Sequence, residues 1–174
     1  MRYLEGNEAE NAKIFMKEAV KIAKQATCQR RICGTVIVKD NKIIGKGWNS
    51  PPMNIETQRR CQNNKTNYHK KVTDKTCCIH AEQRAILDVL KNEPKKIEGS
   101  KLYFISINKE RMPLFSSQPY CTICSKLALD VGIYEFILWH KEGLCAYTSE
   151  EYNNLSYKFI PQNKSPPNRT LPPF

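Results

Sequence analysis

Two short polar segments, far apart along the chain, constrain its fold more than any other feature. In "CCIHAEQRAIL", Cys77 to Leu87, His80 and Glu82 stand just where an apolar helical pattern begins, and "CTIC" places Cys121 and Cys124 at the start of another. A catalytic zinc takes three protein ligands, with thiolate and imidazole among the suitable donors, and keeps one position open for water. His80, Cys121 and Cys124 make up such a set, so a fold that uses them must bring the first turns of two helices together. A C-x-x-C at a helix start suits this role, because its two side chains lie about one turn apart and the helix dipole draws the thiols towards thiolate. Glu82 is not needed as a ligand, so it can take a proton from activated water and return it to a leaving group. Alone, an H-x-E is commonly ordinary helix-start polarity, and a C-x-x-C serves redox chemistry or another metal. The pair, each preceded by a loop, is specific.

The remaining pattern supplies an α/β frame. Ala12, Phe15, Met16, Ala19, Ile22, Ala23 and Ala26 recur at helical spacing and predict an amphipathic helix from Ala9 to Ala26 that covers one face of a sheet. The β-rich runs "ICGTVIV" and "KIIGKGW" flank a polar turn of Lys39, Asp40 and Asn41, which predicts a hairpin. Ala81, Ala85, Ile86, Val89 and Leu90 mark a helix that Pro94 ends, and "KLYFISI" a third strand. After a loop from Asn108 to Pro119, Cys121, Ile123, Cys124, Leu127, Ala128 and Val131 mark a further helix before the strand "YEFILW". Strands alternating with helices imply an α/β sandwich with parallel strands late in the chain. From Asn49 to Lys75 the sequence is polar and basic without periodicity, so residues 49–78 are an insertion that needs something to fix it. One domain is expected over 1–160. The Pro- and Asn-rich tail, 161–174, is either a wrapped extension or disordered.

A length of 174 residues with 40% hydrophobic content suits one domain with a real core. No apolar segment follows Met1, and no run approaches the roughly 18 apolar residues of a membrane span, so a soluble, cytoplasmic protein with no membrane partner is expected. In that setting the eight cysteines read as metal ligands or buried thiols rather than a disulfide framework. The net charge of +11 gathers in Arg59, Arg60, Lys65, Lys70, Lys71 and Lys75, with a second group at Lys95, Lys96 and Lys101. It favours a phosphate-bearing partner, nucleotide or nucleic acid, or else marks a solvated face.

The H-x-E segment followed by a proline-containing C-x-x-C segment resembles the signature of the zinc-dependent nucleobase deaminases. The order of elements resembles the cytidine deaminase fold, a three-layer α/β/α sandwich around a mixed five-stranded sheet. Within that superfamily "ICGTVIVKDNKIIGKGWNSPP" is similar to the V-G-A-V-I-V then G-Y-N-G-x-P pattern of deoxycytidylate deaminases, and the likeness extends to "YEFILW". The resemblance implies that His80, Cys121 and Cys124 hold zinc and that Glu82 shuttles protons. It implies that Asn49 bonds the sugar and that the backbone of Ala81 meets the pyrimidine carbonyl. The implied reaction is hydrolysis of dCMP to dUMP and ammonia, with attack at C4 while Glu82 protonates N3 and then the departing amine. The chain departs from the pattern in carrying Trp48 for Tyr, Ser50 for Gly, and Tyr120 in the proline position before Cys121, with Pro119 one place earlier. The separation of His80 from Cys121 is longer than is common, the extra residues falling in "NKERMPLFSSQPY", which bears on the substrate more than on the chemistry.

Some deoxycytidylate deaminases, phage types among them, carry a structural zinc that ties this insertion to the end of the first helix. The resemblance implies a second zinc here, on Cys28, Cys61, His69 and Cys78, with Cys77 competing with Cys78. An independent reason is that a polar insertion buries little apolar surface, and a closed four-ligand zinc supplies the folding free energy that packing does not. Cys33 and Cys145 read as small buried hydrophobes. Trp139 either stacks on a base or packs, and its neighbour His140 reads as structural. Tyr120, beside Cys121, is a candidate pocket wall. Arg30 and Arg31 present forks suited to phosphate, or else surface charge. Two functions compete with nucleotide deamination: a deaminase acting on a base in RNA or single-stranded DNA, and a non-catalytic zinc-stabilised binding domain, which has no use for Glu82. Superfamily members commonly assemble, so a homo-oligomer is expected.

Overall fold

In the computed structural model, which describes residues 1–116, 118–160 and 170–171, the order is β1 (Arg2–Tyr3), α1 (Gly6–Ala23), β2 (Ile32–Lys39), β3 (Lys42–Trp48), α2 (Ala81–Asn92), β4 (Lys101–Ile107), β5 (Pro113–Leu114), α3 (Thr122–Asp130), β6 (Glu135–His140), β7 (Gly143–Thr148) and α4 (Ser149–Tyr157). The strands join one sheet in the order β1-β7-β6-β4-β2-β3, with β5 on the end of β4. β4 and β6 run parallel and the other pairs antiparallel, so the sheet is mixed and its parallel pair falls late in the chain, as the alternation predicted. Among the described residues there are seven strands where five were expected: five of six to eight residues and two, β1 and β5, of only two. β7 and α4 lie beyond the last strand read from the sequence.

The hairpin turn is built as its residues suggest. Asp40 and Asn41 have φ of 50° and 56°, the pair of left-handed residues that a two-residue hairpin needs and that Asp and Asn tolerate best. Alternating residues of β2, β4 and β6 then feed two cores. On one face Met16, Ala19 and Ala23 of α1 pack against Val36, Tyr103, Ile105 and Ile137. On the other, α2, α3 and α4 bring Ala85, Val89, Ala128 and Tyr152 against Ile37, Leu102 and Phe136. This is the expected three-layer sandwich. α1 starts at Gly6 and stops at Ala23 rather than spanning Ala9 to Ala26, although Ala26 is still buried.

Gly47 fixes where α2 begins over the sheet. A Cβ there would lie 2.1 Å from the Ala81 carbonyl oxygen and 2.4 Å from the Ala85 nitrogen, so only glycine lets β3 approach the first turn of α2 this closely. The insertion has no element longer than the 3₁₀ turns Pro52–Asn54, Glu56–Gln58 and Lys65–Asn67. Polar contacts hold it instead. Arg30 donates to the carbonyls of Cys61 (2.5 Å) and Asn63 (3.0 Å), Arg59 to that of Thr27 (2.7 Å), and the Ile79 N–H to that of Ser50 (2.9 Å). Of the tail, Thr170 pairs with Leu114 and Leu171 is buried in the α1-side core; the rest lies outside the described residues. Among the described residues no helix is long and apolar enough to cross a membrane.

Candidate metal centre

His80 is the residue that caps α2, and its N–H donates to Gln83 Oε1 (3.0 Å), which fixes the backbone at the helix start. Cys121 caps α3, and Cys124 lies in its first turn. His80 Nδ1 is 3.2 Å from Cys124 Sγ and 3.3 Å from Cys121 Sγ, and the three donor atoms lie within 4.8 Å of one another. The two helix starts therefore meet, as a shared ion demands.

The electrostatics of the group match its composition. A hydrogen bond from Cys124, aided by His80, pulls the Cys121 thiol down to about 4. Cys124, hydrogen-bonded to that thiolate and buried, is pushed well up, and the bond to Cys121 raises His80 to about 9. Two protons thus gather around one thiolate where a cation would satisfy the same donors. One imidazole and two thiols fit zinc, which takes such nitrogen and sulfur ligands in place of those protons. Glu82, the second residue of α2, is only 5% exposed, and burial pushes its carboxyl above the usual carboxylate range. Burial makes it a stronger base than an exposed carboxylate, suited to taking up a proton beside the donors.

A cavity of about 250 Å³ reaches this group and is lined by His80, Ala81, Glu82, Asn49, Phe104 and Tyr120 among others. Asn49 is anchored to the start of β2: its Oδ1 accepts the Cys33 N–H (2.9 Å) and its Nδ2 donates to the Arg31 carbonyl (2.7 Å). The Tyr120 hydroxyl accepts from Arg31 Nη1 (2.7 Å), and its ring lies 5.5 Å from that of Phe159. Arg30, which is exposed, and Arg31, which is half-buried, also line the cavity.

Trp139 does not line the cavity. Alternation along β6 sends Phe136 and Leu138 to the α2 side and Ile137 and Trp139 to the α1 side, where Trp139 is partly buried against the other core. His140 has the structural place expected of it, with Nε2 2.7 Å from the Tyr147 hydroxyl.

Three participants had no role in the sequence reading of the site. Cys33 and Phe104 line the cavity. Strand alternation would have assigned both once the face that α2 covers was known. Arg84 clamps the segment that carries Asn49 onto α2, donating from Nε to the Trp48 carbonyl (3.0 Å) and from Nη2 to Ser50 Oγ (2.8 Å). Ser50, where the resemblance expects glycine, thus supplies the acceptor.

A second group gathers Cys28, Cys61 and Cys78, whose sulfurs lie within 4.8 Å of one another. Cys77 Sγ is 3.2 Å from that of Cys61 and 3.6 Å from that of Cys78. His69 is not brought to them: it is exposed, and its Nδ1 accepts the Lys71 N–H (3.2 Å) in a local turn. A hydrogen bond from Cys78 draws Cys28 down to about 5. These thiols line the same cavity as His80 and Glu82.

A mixed sheet covered by helices on both faces, with one histidine and two cysteines meeting at paired helix starts beside a buried acid, defines a zinc-binding α/β domain. The family model of the cytidine and deoxycytidylate deaminase zinc-binding region matches residues 9–140, and the chain belongs to that family. The chain is 33% identical over 79 residues to a deoxycytidylate deaminase of Schizosaccharomyces pombe, a match that covers 42% of this chain and 24% of that protein. It therefore spans about a quarter of that relative's length. Among solved structures, the dCMP deaminase of cyanophage S-TIM5 in complex with dCMP and dUMP has a TM-score of 0.52 at 22% identity, over 76% of this chain and 82% of that one. The cytidine deaminase of Burkholderia pseudomallei also has a TM-score of 0.52, at 14% identity, over 80% of this chain and 94% of that one. At these identities the likeness is one of fold.

Proposed function

We propose that this protein is a zinc-dependent hydrolase that deaminates a cytosine nucleotide, dCMP to dUMP with release of ammonia. The support is the buried Glu82 carboxyl beside the His80, Cys121 and Cys124 donors in one cavity. The named activity of the fission-yeast relative supports the choice of substrate. Zinc held by the three donors supplies Lewis-acid activation of water. With zinc bound, Glu82 as carboxylate would accept one proton of that water and deliver it to ring N3 as the C4–O bond forms, then take the second proton from the added hydroxyl and deliver it to the amine, which leaves as ammonia when the C4–N bond breaks. Ala81 opens α2, so its N–H is among the unpaired donors of a helix start and is suited to the pyrimidine carbonyl. Asn49 has one further N–H and one further lone pair to offer the sugar beyond its two backbone bonds. Tyr120 walls the cavity.

A second, structural zinc belongs to the same proposal, held by Cys28, Cys61 and Cys78, with Cys77 in the fourth place instead of His69. Its support is the proximity of four thiols in an insertion that has little apolar surface of its own. Homo-oligomeric assembly is supported by the exposed Leu87, Leu90, Ile123 and Leu129 on α2 and α3. The cations along the cavity favour one competitor, deamination of a base in RNA or single-stranded DNA, which predicts single-strand binding that weakens steeply with salt. Ammonia release from dCMP, deoxycytidine and cytidine by zinc-loaded protein tests the main proposal. Turnover best with dCMP is expected, and no release from any of the three overturns it.

A further inference from the structure

Arg84, the fourth residue of α2, is half-buried and joins no ion pair among the described residues. Its polar partners are neutral and belong to one short segment. Nε donates to the Trp48 carbonyl (3.0 Å) and Nη2 to Ser50 Oγ (2.8 Å), with longer contacts from Nη2 to the carbonyls of Pro51 (3.4 Å) and Ser50 (3.5 Å). The guanidinium carbon also lies 5.8 Å from the centre of the Trp48 ring. The Ser50 hydroxyl, wholly buried, donates in turn to the Pro51 carbonyl (3.2 Å), so it is used both as acceptor and as donor. Taking a cation partly out of water without a counter-charge costs free energy, and an aliphatic side chain would fill the space without that cost. What arginine adds is a planar fork that holds two acceptors at once.

The gripped residues flank Asn49. Among the described residues, Asn49, Ala81 and Glu82 line the cavity, and Trp48, Ser50 and Arg84 do not. Arg84 therefore reaches the cavity only through its neighbours. Asn49 itself is tied to the opposite side: its N–H donates to the Cys33 carbonyl (3.3 Å), its carbonyl accepts the Thr27 N–H (3.2 Å), and its side chain holds the start of β2. The Ile79 N–H to Ser50 carbonyl bond steadies the segment too, but from the loop before α2 rather than from the helix. Arg84 joins the segment to the helix whose first turn carries Glu82.

We infer that Arg84 is a positioning residue for Asn49: by gripping the carbonyl before it and the hydroxyl after it, Arg84 fixes Asn49 relative to Glu82 and so sets how well the site recognises a sugar on the cytosine base. This rests on the deaminase reading above and on Asn49 meeting the sugar. Ser50, where the resemblance expects glycine, then belongs with Arg84 as the acceptor that completes the grip.

Calorimetric titration of zinc-loaded Glu82→Gln protein with deoxycytidine and with free cytosine isolates the contribution of the sugar without turnover. We expect deoxycytidine to bind more tightly, and Arg84→Met to erode that preference by about three- to tenfold, the effect of one hydrogen bond, while cytosine affinity holds. Arg84→Lys keeps the charge but not the fork, so it should behave as Arg84→Met does. Asn49→Ala should erode the same preference, and Arg84→Met added to it should erode it no further. An unchanged preference, an equal loss for both ligands, or losses at Asn49 and Arg84 that add each overturn the proposal, as does a parent site that binds the two ligands equally. If Arg84→Met does not fold, Ser50→Gly carries the test, with a smaller erosion in the same direction expected and none overturning it. A parent that releases no ammonia from dCMP, deoxycytidine or cytidine sinks the deaminase reading instead. The grip is then read from thermal unfolding of Arg84→Met, Ser50→Gly and the double variant: a double loss no larger than that of Arg84→Met supports it, and losses that add overturn it.

Discussion

Replacing Gly47 with alanine tests how the sheet places the helix that carries Glu82. Where the backbone permits both residues, Gly→Ala raises stability slightly by restricting the unfolded chain. Here the opposite sign is expected. The new Cβ would sit 2.1 Å from the Ala81 carbonyl oxygen, 2.4 Å from the Ala85 nitrogen and 3.0 Å from the Ala85 Cα, all backbone atoms that cannot rotate away. Reaching the 3.4 Å at which ordinary contact begins requires α2 and β3 to part by about 1 Å. Overpacking of this kind costs about 1–3 kcal/mol, which for a chain of this length lowers Tm by roughly 2–12 °C. The displaced turn holds His80 and Glu82, and a shift of about 1 Å in reacting groups costs about 10²-fold in rate. Scanning calorimetry and ammonia release from dCMP measure both effects. A variant with the parent's Tm or higher and full turnover refutes the claim that close approach at Gly47 sets the position of Glu82.

Cys28→Ser should lower the metal content by one zinc per chain and open residues 49–78 to limited proteolysis, with the metal at His80 retained. Unchanged metal content with an unchanged digestion pattern counts against the second site. Arg2 hydrogen-bonds the Glu8 carboxyl, with Lys101 assisting, and holds it down to about 2. Because the folded value lies below the unfolded one, this stabilisation is complete above the ordinary carboxylate pKa and is lost as pH falls towards 2. Glu8→Gln should therefore lower Tm modestly near pH 6, both partners being partly exposed, and match the parent near pH 2. A Tm gap that does not change between those pH values contradicts the assignment.

Much of the sandwich is written in local pattern. The 3.6-residue period of α1, the Asp40 and Asn41 turn and the polar starts of α2 and α3 each have a local physical cause, so they are legible without tertiary information. α4 was not, because it turns Ser149, Tyr152 and Ser156 inward, and such residues leave no apolar period. The face taken by Trp139 was equally hidden. β6 is buried on both sides through Leu138, so its sequence shows no alternation from which to read the side. The grouping of His80, Cys121 and Cys124 was legible because two helix starts hold them in fixed spacing. That His69 stays apart from the thiols while Cys77 and Cys78 both come near Cys61 was not, since the insertion is aperiodic and its through-space neighbours depend on Arg30, Arg59 and the Ser50–Ile79 pairing. Arg84 acts through contacts with Trp48 and Ser50 that no spacing along the chain announces.

The central claim is that one ion, held by an imidazole and two sulfurs, works together with a carboxyl that is not its ligand. The most direct measurement is zinc per chain and ammonia release from dCMP, taken on the same preparations of parent and Glu82→Gln protein. Equal zinc in the two, with turnover in the variant lower by about 10²- to 10⁴-fold, is predicted. A variant that releases ammonia as fast as the parent, or one that loses zinc along with activity, contradicts it.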